Sequence, residues 1–307
     1  MTAVGWGKII LLGEHAVVYG YPALAAALDR GVTMDAVPTT KGGMRLNIPA
    51  WNATIKADDD SQLARCLCAV ADALSIGRPE LSLVGDAQIP HGAGLGSSAA
   101  LAVAIARAML AWAKRPADPA TLAHAAGASE TLVHGKPSGV DVALAITGGL
   151  GVFRRSSGLS PLKRSDGTVP SLRVLVGPSG QPRSTGTMVQ KVAEATGERP
   201  ADTRLSELGK LCDTGTNALL CNDLSALGAT MNRAHEVLSD LGVSTPVLDG
   251  LCKQARDLGA HGAKLTGAGG GGAVIAVAPR DSRIEQEILA AWKTMAVTGF
   301  VATLGAR

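Results

Sequence analysis

The sequence feature that most constrains the fold is a glycine-serine segment that opens a long helix. Residues 90–100 read PHGAGLGSSAA, and an Ala/Leu-rich stretch follows. Glycines let backbone N–H groups turn towards an anion, and a helix N-terminus adds unpaired N–H donors with a partial positive charge. The segment therefore predicts a loop and helix that bind a polyphosphate through Gly92, Ala93, Gly94, Leu95, Gly96, Ser97 and Ser98.

Two other interpretations of this segment are a dinucleotide site and a plain structural turn. Residues 94–99 match the loose dinucleotide pattern G-x-G-x-x-A. That pattern belongs at the first strand-to-helix turn of a fold, whereas this segment lies deep in the chain. A plain structural turn with a serine N-cap stays open, because such turns occur in any fold. The Walker pattern G-x-x-x-x-G-K-[ST] does not occur in the sequence.

A second glycine run precedes an aliphatic stretch near the C-terminus. Residues 264–272 read KLTGAGGGG, and residues 273–278 read AVIAVA. The run leads into a predicted strand and not into a helix, which argues against a dinucleotide site. Four consecutive glycines have a large conformational entropy in the unfolded chain, so simple linkage explains them poorly. We expect a second loop or a ligand phosphate to approach Gly267, Ala268, Gly269 and Gly270 closely.

Composition limits the classes of protein that this chain can belong to. Its 307 residues allow two domains, and with 46% hydrophobic but 3% aromatic residues the core must be aliphatic. The net charge of +3 comes from scattered basic residues, so nucleic acid is not a predicted partner. The five cysteines form no CxxC pair, which favours a reducing compartment and no structural zinc.

The chain also lacks the marks of membrane insertion or secretion. The N-terminus has no basic-then-apolar signal layout, and the most apolar helix candidate, residues 99–113, is interrupted by Arg107. We therefore expect a cytoplasmic protein that does not insert into a membrane.

Hydrophobic periodicity predicts a mixture of helices and strands. Helices are expected over residues 62–75, 99–114, 121–133, 185–195 and 282–295, with two or three more between 205 and 258. Strands are expected over 8–12, 22–37, 81–84, 150–153, 172–176, 273–278 and 300–304, with a loop over 14–21. Residues 154–170 are polar and rich in Ser, Gly and Pro, and they predict a boundary between domains at 1–165 and 166–307.

Three segments together resemble the signature motifs of one kinase superfamily. They are GKIILLGEHAVVYG at residues 7–20, the glycine-serine segment and the second glycine run. Their order and separation are similar to those of the galactokinase, homoserine kinase, mevalonate kinase and phosphomevalonate kinase superfamily over essentially the whole chain. Within it, residues 13–20, the sequence GKPSGVD at 135–141 and the KLT at 264–266 resemble the mevalonate kinases.

The resemblance implies a fold, a reaction and a set of ligands. The fold would be α+β, a two-domain small-molecule kinase with an N-terminal α/β domain that binds ATP and a C-terminal ferredoxin-like α/β domain. The active site would lie in the cleft between them. The reaction would be the ATP-dependent phosphorylation of the primary hydroxyl of mevalonate, giving 5-phosphomevalonate in isoprenoid biosynthesis. ATP and Mg²⁺ would be the cofactors, mevalonate the partner, and a homodimer one option for assembly.

The resemblance also assigns the catalytic residues. Asp141 matches the catalytic aspartate that takes the alcohol proton, although an aspartate capping a turn is the alternative. Lys8 matches the lysine that pairs with this aspartate and with the phosphoryl group. Glu130 and Ser98 match the Mg²⁺ ligands; without the motif, Glu130 would be read as a solvent-facing helical charge.

Four further residues are assigned to the substrate by the same resemblance: Glu14, His15, Ser138 and Thr185. The remaining histidines have no matching role and are predicted to be structural. Leu101 stands where some relatives carry a tyrosine, which affects the details of the substrate pocket. The alternatives are another kinase of the superfamily, such as phosphomevalonate kinase, or a non-catalytic nucleotide-binding sensor. Intact Lys8, Glu130 and Asp141 argue against the sensor.

Overall fold

A computed structural model describes residues 3–40, 42–135, 137–181 and 184–305. Lys136, within the motif at 135–141, lies outside the described residues. The strands in the described part are β1 (Ala3–Leu12), β2 (Ala23–Pro38), β3 (Arg45–Ile48), β4 (Ala53–Lys56), β5 (Leu81–Ala87), β6 (Leu150–Arg154), β7 (Gly158–Pro161), β8 (Leu172–Pro178), β9 (Gly262–Thr266), β10 (Ala273–Val277) and β11 (Phe300–Leu304). The α-helices are α1 (Gln62–Ala73), α2 (Ser97–Trp112), α3 (Pro119–His134), α4 (Val140–Thr147), α5 (Thr185–Thr196), α6 (Thr203–Leu220), α7 (Leu224–Asp240), α8 (Pro246–Asp257) and α9 (Ser282–Thr294).

The chain divides into two compact units that interleave along the sequence. The first unit contains Met1–Lys8, Arg30–His91 and Gly96–Gly148, and the second contains Ile9–Asp29, Gly92–Leu95 and Gly149–Arg307. The units interleave because the long strands β1 and β2 each contribute residues to both. The sequence predicts two successive domains instead, and its boundary at residue 165 stays a prediction.

The first unit combines a sheet with four helices. Its strands follow the order β4, β3, β5, β2, with β3 parallel to β5 and the other pairs antiparallel. Helices α1 to α4 contact one another. Helix α2 is buried on almost every side, because its residues from Ala99 to Leu110 are mainly alanines and other apolar residues. The buried helix holds its N-terminal serines in a fixed place.

The second unit contains a four-stranded antiparallel sheet in the order β11, β8, β10, β9. In chain order, a strand leads through helices to two paired strands, then to helix α9 and a last strand. This strand order and connectivity are those of a ferredoxin-like domain, here with extra helices after β8. The predicted C-terminal ferredoxin-like domain is therefore confirmed. β6 pairs with residues 23–26 of β2 and with β7 in the same unit.

The core is aliphatic, as the low aromatic content predicts. Among the described residues, the buried hydrophobic ones are mainly Ala, Val, Leu and Ile. Trp292 of α9 is an exception: its ring is fully buried and its Nε1–H donates a hydrogen bond to the Leu251 carbonyl at 3.1 Å. The five cysteines are all free thiols. None of the helices in the described ranges combines the length and apolar character that a bilayer span requires.

Most of the predicted elements are confirmed within a few residues, and three helices fill the region between 203 and 257. Four short elements, β3, β4, α4 and β9, are not among the predicted ones. A 3-10 helix at Ala16–Tyr19 lies within the predicted loop 14–21. The polar stretch 154–170 contains strand β7, which pairs with β6, so it is not a free linker along its length.

Candidate active site

Lys8 and Asp141 form an ion pair in the first unit. Lys8 lies in β1, and Asp141 is the second residue of α4, which begins directly after Gly139. The distance from Lys8 Nζ to Asp141 Oδ1 is 3.2 Å. Lys8 is almost completely buried, whereas the Asp141 side chain is 27% exposed. The structure thus brings together the two predicted catalytic side chains, of which the carboxylate is the more exposed.

The glycine-serine segment packs directly on this lysine. Gly96 precedes the first residue of α2 and has a φ of 74°, in the left-handed region. A Cβ at Gly96 would lie 2.7 Å from Lys8 Cγ. A residue with a side chain at position 96 would therefore clash, and only glycine permits this close approach to β1. The first backbone N–H groups of α2 therefore lie in the same neighbourhood as the Lys8 side chain.

Glu130 is a buried carboxyl near the same N-terminus. It is 1% exposed, and within the described part of the chain its Oε1 has no hydrogen-bond partner. Burial, together with the charge of Asp141, raises the pKa of Glu130 to about 7, while the Ser98 hydroxyl and the charge of Lys8 act in the opposite direction. The alternative of a solvent-facing helical charge is wrong for Glu130.

His134 is a neighbour of this carboxyl that the sequence analysis assigned only a structural role. Its Nε2 lies 3.7 Å from Glu130 Oε2, one helical turn away on α3, and 3.4 Å from Ser98 Oγ. Its position four residues after Glu130 on a helix was the available signal, because residues at that spacing share a face.

The donors near Glu130 suit a magnesium ion. Hard oxygen donors are present in the Glu130 Oε1, which no described residue hydrogen-bonds, and in the Ser98 hydroxyl at a helix N-terminus. No group of three or more His, Cys, Asp or Glu side chains in the described ranges could hold a metal alone. Mg²⁺ commonly takes one or two protein ligands and completes its shell with phosphate oxygens and water. The residues present therefore fit this ion when a nucleotide supplies the remaining ligands.

A second group of predicted site residues lies in the second unit, directly after β1. Glu14 and His15 are both buried, and Glu14 forms an ion pair with Lys264 Nζ of β9. His15 Nε2 lies 2.9 Å from the carbonyl oxygen of Ala268 in the second glycine run. Since a carbonyl oxygen only accepts, Nε2 carries the proton and donates. The structure thus connects the Glu-His segment to the KLTGAGGGG segment.

Lys264 and Thr266 are site neighbours whose positions the sequence analysis did not predict. Lys264 is fully buried, and its Nζ also donates to the Leu265 carbonyl at 2.6 Å. Burial lowers the pKa of Lys264, and the charge of Glu14 opposes that shift. Thr266 Oγ1 accepts from the Ile10 N–H at 3.0 Å and donates to the Ile10 carbonyl at 2.9 Å, which ties β9 to β1.

The second glycine run is approached closely by the protein itself. A Cβ at Gly269, whose φ is 75°, would lie 2.1 Å from the Val243 carbonyl oxygen. The N–H of Gly270 donates to the same oxygen at 2.7 Å. Packing against the loop after α7 therefore explains part of the glycine content. Proximity of Gly267, Ala268, Gly269 and Gly270 to a phosphate stays a prediction.

Ser138 and Thr185 occupy helix N-termini. Ser138 Oγ accepts a hydrogen bond from the Val140 N–H at 3.4 Å, at the start of α4. Thr185 is the first residue of α5, whose N-cap is Ser184. Their roles towards a substrate stay predictions. Pro182 and Arg183, which precede this helix, lie outside the described residues.

Comparison with known families gives these sites a context. Two family patterns match the chain: "GHMP kinases N terminal domain" over residues 62–149 and "GHMP kinases C terminal" over residues 216–296. The chain belongs to the GHMP kinase family, and within it to the group of the mevalonate kinases. The resemblance noted from the three motifs is thereby confirmed, and so is the two-domain α+β fold.

Individual relatives support this placement. The chain is 35% identical over 296 residues to a mevalonate kinase of Thermococcus sibiricus, a match that covers 89% of this chain and 87% of that protein. Among solved structures, it is similar to L. major mevalonate kinase in complex with R-mevalonate, with a TM-score of 0.85, 26% identity and coverage of 99% and 95%. The corresponding values for Methanococcus jannaschii mevalonate kinase are 0.86, 26%, 100% and 98%.

Proposed function

We propose that this chain transfers the γ-phosphoryl group of ATP to the primary hydroxyl of mevalonate, giving 5-phosphomevalonate. The observation that carries the proposal is the Lys8–Asp141 pair, 3.2 Å apart, in the same unit as Glu130 and the start of α2. Relatives named mevalonate kinase cover most of this chain, and the L. major structure holds R-mevalonate.

The proposed chemistry follows from these two charges. The hydroxyl oxygen attacks the γ-phosphorus in line, its proton passes to the Asp141 carboxylate, and the bond to the bridging oxygen breaks to release ADP. Lys8 neutralises charge on the phosphoryl group as it moves, which matters most in the transition state. Since Asp141 is partly exposed and Lys8 is buried, the base can reach substrate while the cation stays fixed.

Glu130 and Ser98 would hold Mg²⁺ together with oxygens of the ATP phosphates. When bound, the ion would neutralise charge on the phosphates during transfer. The residues of the glycine-serine segment would hold the phosphates through backbone N–H groups, and Glu130 would have to lose its proton before it can act as a ligand.

Mevalonate would be held by Glu14 and His15, with Ser138 and Thr185 as further contacts. The His15 ring is held in place by its Nε2–H, which donates to the Ala268 carbonyl at 2.9 Å. The proposed compartment is the cytoplasm, because five unpaired thiols are typical of a reducing environment.

A coupled assay of ADP release across a panel of alcohols tests the proposal. The panel contains mevalonate, phosphomevalonate, homoserine and galactose, each with ATP and Mg²⁺. Of the four compounds, we expect only mevalonate to be phosphorylated. That turnover should be lost in an Asp141→Asn preparation purified in the same way. Turnover of phosphomevalonate without turnover of mevalonate would assign the chain to a different substrate.

A further inference from the structure

The proposed substrate residue Glu14 contacts a buried polar network in the second unit. The other residues of this network have no role in the mechanism proposed above. Lys264 is 0% exposed and Glu14 is 1% exposed, and the two side chains are ion-paired. Burying two charges costs more in lost hydration than an ion pair usually returns, and apolar residues of similar size are often as stabilising. A function other than stability therefore has to be considered for this lysine.

The lysine has a second hydrogen-bond partner besides Glu14. Its Nζ donates to the carbonyl of Leu265, and the N–H of Leu265 donates to Nδ1 of His235 at 3.2 Å. Because Nδ1 is an acceptor, the ring proton lies on Nε2, which is 3.0 Å from Asp249 Oδ1. Asp249, His235 and the Leu265 peptide thus form a chain of hydrogen bonds that ends at the Lys264 ammonium.

The histidine in this chain is neutral at ordinary pH. Burial lowers the pKa of His235 to about 4, although the nearby Asp249 opposes the shift. A neutral ring is what the contacts require, because a protonated Nδ1 could not accept from Leu265. His235 of α7 therefore connects α8 and β9 through two hydrogen bonds, and it is not a second cation beside Lys264.

We propose that Lys264 is a positioning residue for substrate binding, which holds the Glu14 carboxylate charged and oriented, while His235 fixes the strand segment that carries Lys264. The inference rests on the proposed function, since Glu14 is assigned to the substrate there. The substrate class is a small polyol acid such as mevalonate, whose hydroxyl groups a fixed carboxylate can accept from.

The neighbours of the pair determine what a pH profile would report. Glu14 is near Cys212 of α6, and Lys264 is near Cys252 of α8; burial raises the pKa of each thiol to about 12. His235 of α7 and the charged Asp249 and Arg256 of α8 complete the surroundings. Both thiols and the imidazole keep their neutral form between pH 6 and pH 9. His15, next to Glu14 in the chain, and Glu130, with its pKa of about 7, are present in the wild type as well. A pH dependence of substrate affinity that appears only in a Lys264 variant therefore points to Glu14.

The central test is Lys264→Met, studied by calorimetry with mevalonate and, separately, with a non-hydrolysable ATP analogue and Mg²⁺. We expect the Kd for mevalonate to rise by at least about tenfold at pH 7, since a buried carboxylate without its cation takes up a proton or turns away. The Kd for the nucleotide should stay within about twofold. The mevalonate Kd of the variant should also depend on pH between pH 6 and pH 9 more strongly than that of the wild type does.

Two further variants separate positioning from general damage to the fold. Glu14→Gln combined with Lys264→Met removes both buried charges, so its melting temperature should recover towards that of the wild type. Its mevalonate binding should stay weak and should depend on pH no more than that of the wild type does. Lys253→Met is the matched control, because Lys253 pairs with Asp257 on the exposed face of α8. It should bind mevalonate as the wild type does.

If Lys264→Met does not fold, His235→Leu provides the test without leaving a charge unpaired. It removes the acceptor of the Leu265 N–H and should raise the Kd for mevalonate severalfold with no change for the nucleotide. Wild-type mevalonate affinity in Lys264→Met, or in His235→Leu where the first variant is insoluble, would overturn the inference alone. A wild-type protein that binds no mevalonate would overturn both the inference and the proposed function.

Discussion

Replacing Glu130 by glutamine should stabilise the metal-free protein and raise the Mg²⁺ concentration that the enzyme needs for half-maximal rate. The carboxyl is 1% exposed, its Oε1 has no partner among the residues that the structure describes, and its pKa is raised from 4.5 to about 7. A pKa difference of this size corresponds to about 3 kcal/mol between the folded and unfolded states. Glutamine fills the same volume without a charge, so it removes this cost.

The sign of the effect depends on pH. Below pH 4.5 Glu130 is protonated in both the folded and the unfolded chain, so its ionisation has no effect on the free energy of unfolding. As the pH rises from 4.5 to about 7, the unfolded chain loses the proton first, and stability falls. The wild type should therefore be less stable than Glu130→Gln by up to about 3 kcal/mol at pH 8 and nearly equal to it at pH 4.5.

Urea unfolding in EDTA, without nucleotide, measures this difference at the two pH values. The same preparations are assayed for the Mg²⁺ concentration that gives half-maximal rate, which should rise at least about tenfold in Glu130→Gln. Glu194→Gln, at an exposed position on α5, serves as the control and should change neither quantity. A stability difference that does not vary with pH, together with an unchanged Mg²⁺ requirement, would refute the assignment of Glu130 as a strained metal ligand.

Three other changes test the remaining parts of the site. Asp141→Asn should lower kcat by about 10²–10⁴-fold with little effect on the Kd for ATP, and adding Lys8→Met should cost less than the two single losses combined; a near-wild-type kcat would exclude a catalytic base at this position. Gly94→Val should abolish ATP binding in calorimetry, because φ at Gly94 is 79° and a β-branched residue is strained there; normal ATP binding would show that the segment is not a phosphate loop. Thr266→Val should lower the free energy of unfolding by about 1–3 kcal/mol, because it removes both bonds to Ile10; an unchanged urea midpoint would mean that these bonds contribute nothing.

The parts of the fold that could be predicted from the sequence are those with long, regular patterns. Helix α2 could be predicted from sixteen residues of alanine-rich sequence, and α5 and α9 could be predicted from their hydrophobic periodicity. Strands β3 and β4 have four residues each, too few for an alternating pattern to be distinguished from a loop. The interleaving of the two units could not be predicted, because it depends on how far β1 and β2 extend and not on their composition.

The candidate site could be predicted where residue type and chemistry agree. Glycine, serine and aspartate in the motifs are residues expected in a phosphate site, and the structure brings Lys8 and Asp141 within 3.2 Å. Lys264 could not be predicted as a buried residue, because lysine is almost never fully buried unless it is paired. Its partner Glu14 is 250 positions away in the sequence, and nothing in the sequence alone connects the two.

The buried carboxylates Glu285 and Glu130 differ in how completely their oxygens are hydrogen-bonded, and this difference distinguishes a structural role from a functional one. Glu285 of α9 is also buried, but Arg173 donates to both of its oxygens, at 2.7 and 2.8 Å, and the arginine itself reaches solvent. That carboxylate is satisfied by its own unit. Glu130 has one oxygen that accepts no hydrogen bond from any described residue, and burial disfavours its charged form. Because natural sequences violate the rules of burial mainly at functional sites, the unsatisfied carboxylate is the one expected to meet a ligand. On this reasoning the cost of burying Glu130 is offset only when a cation and its phosphates are bound.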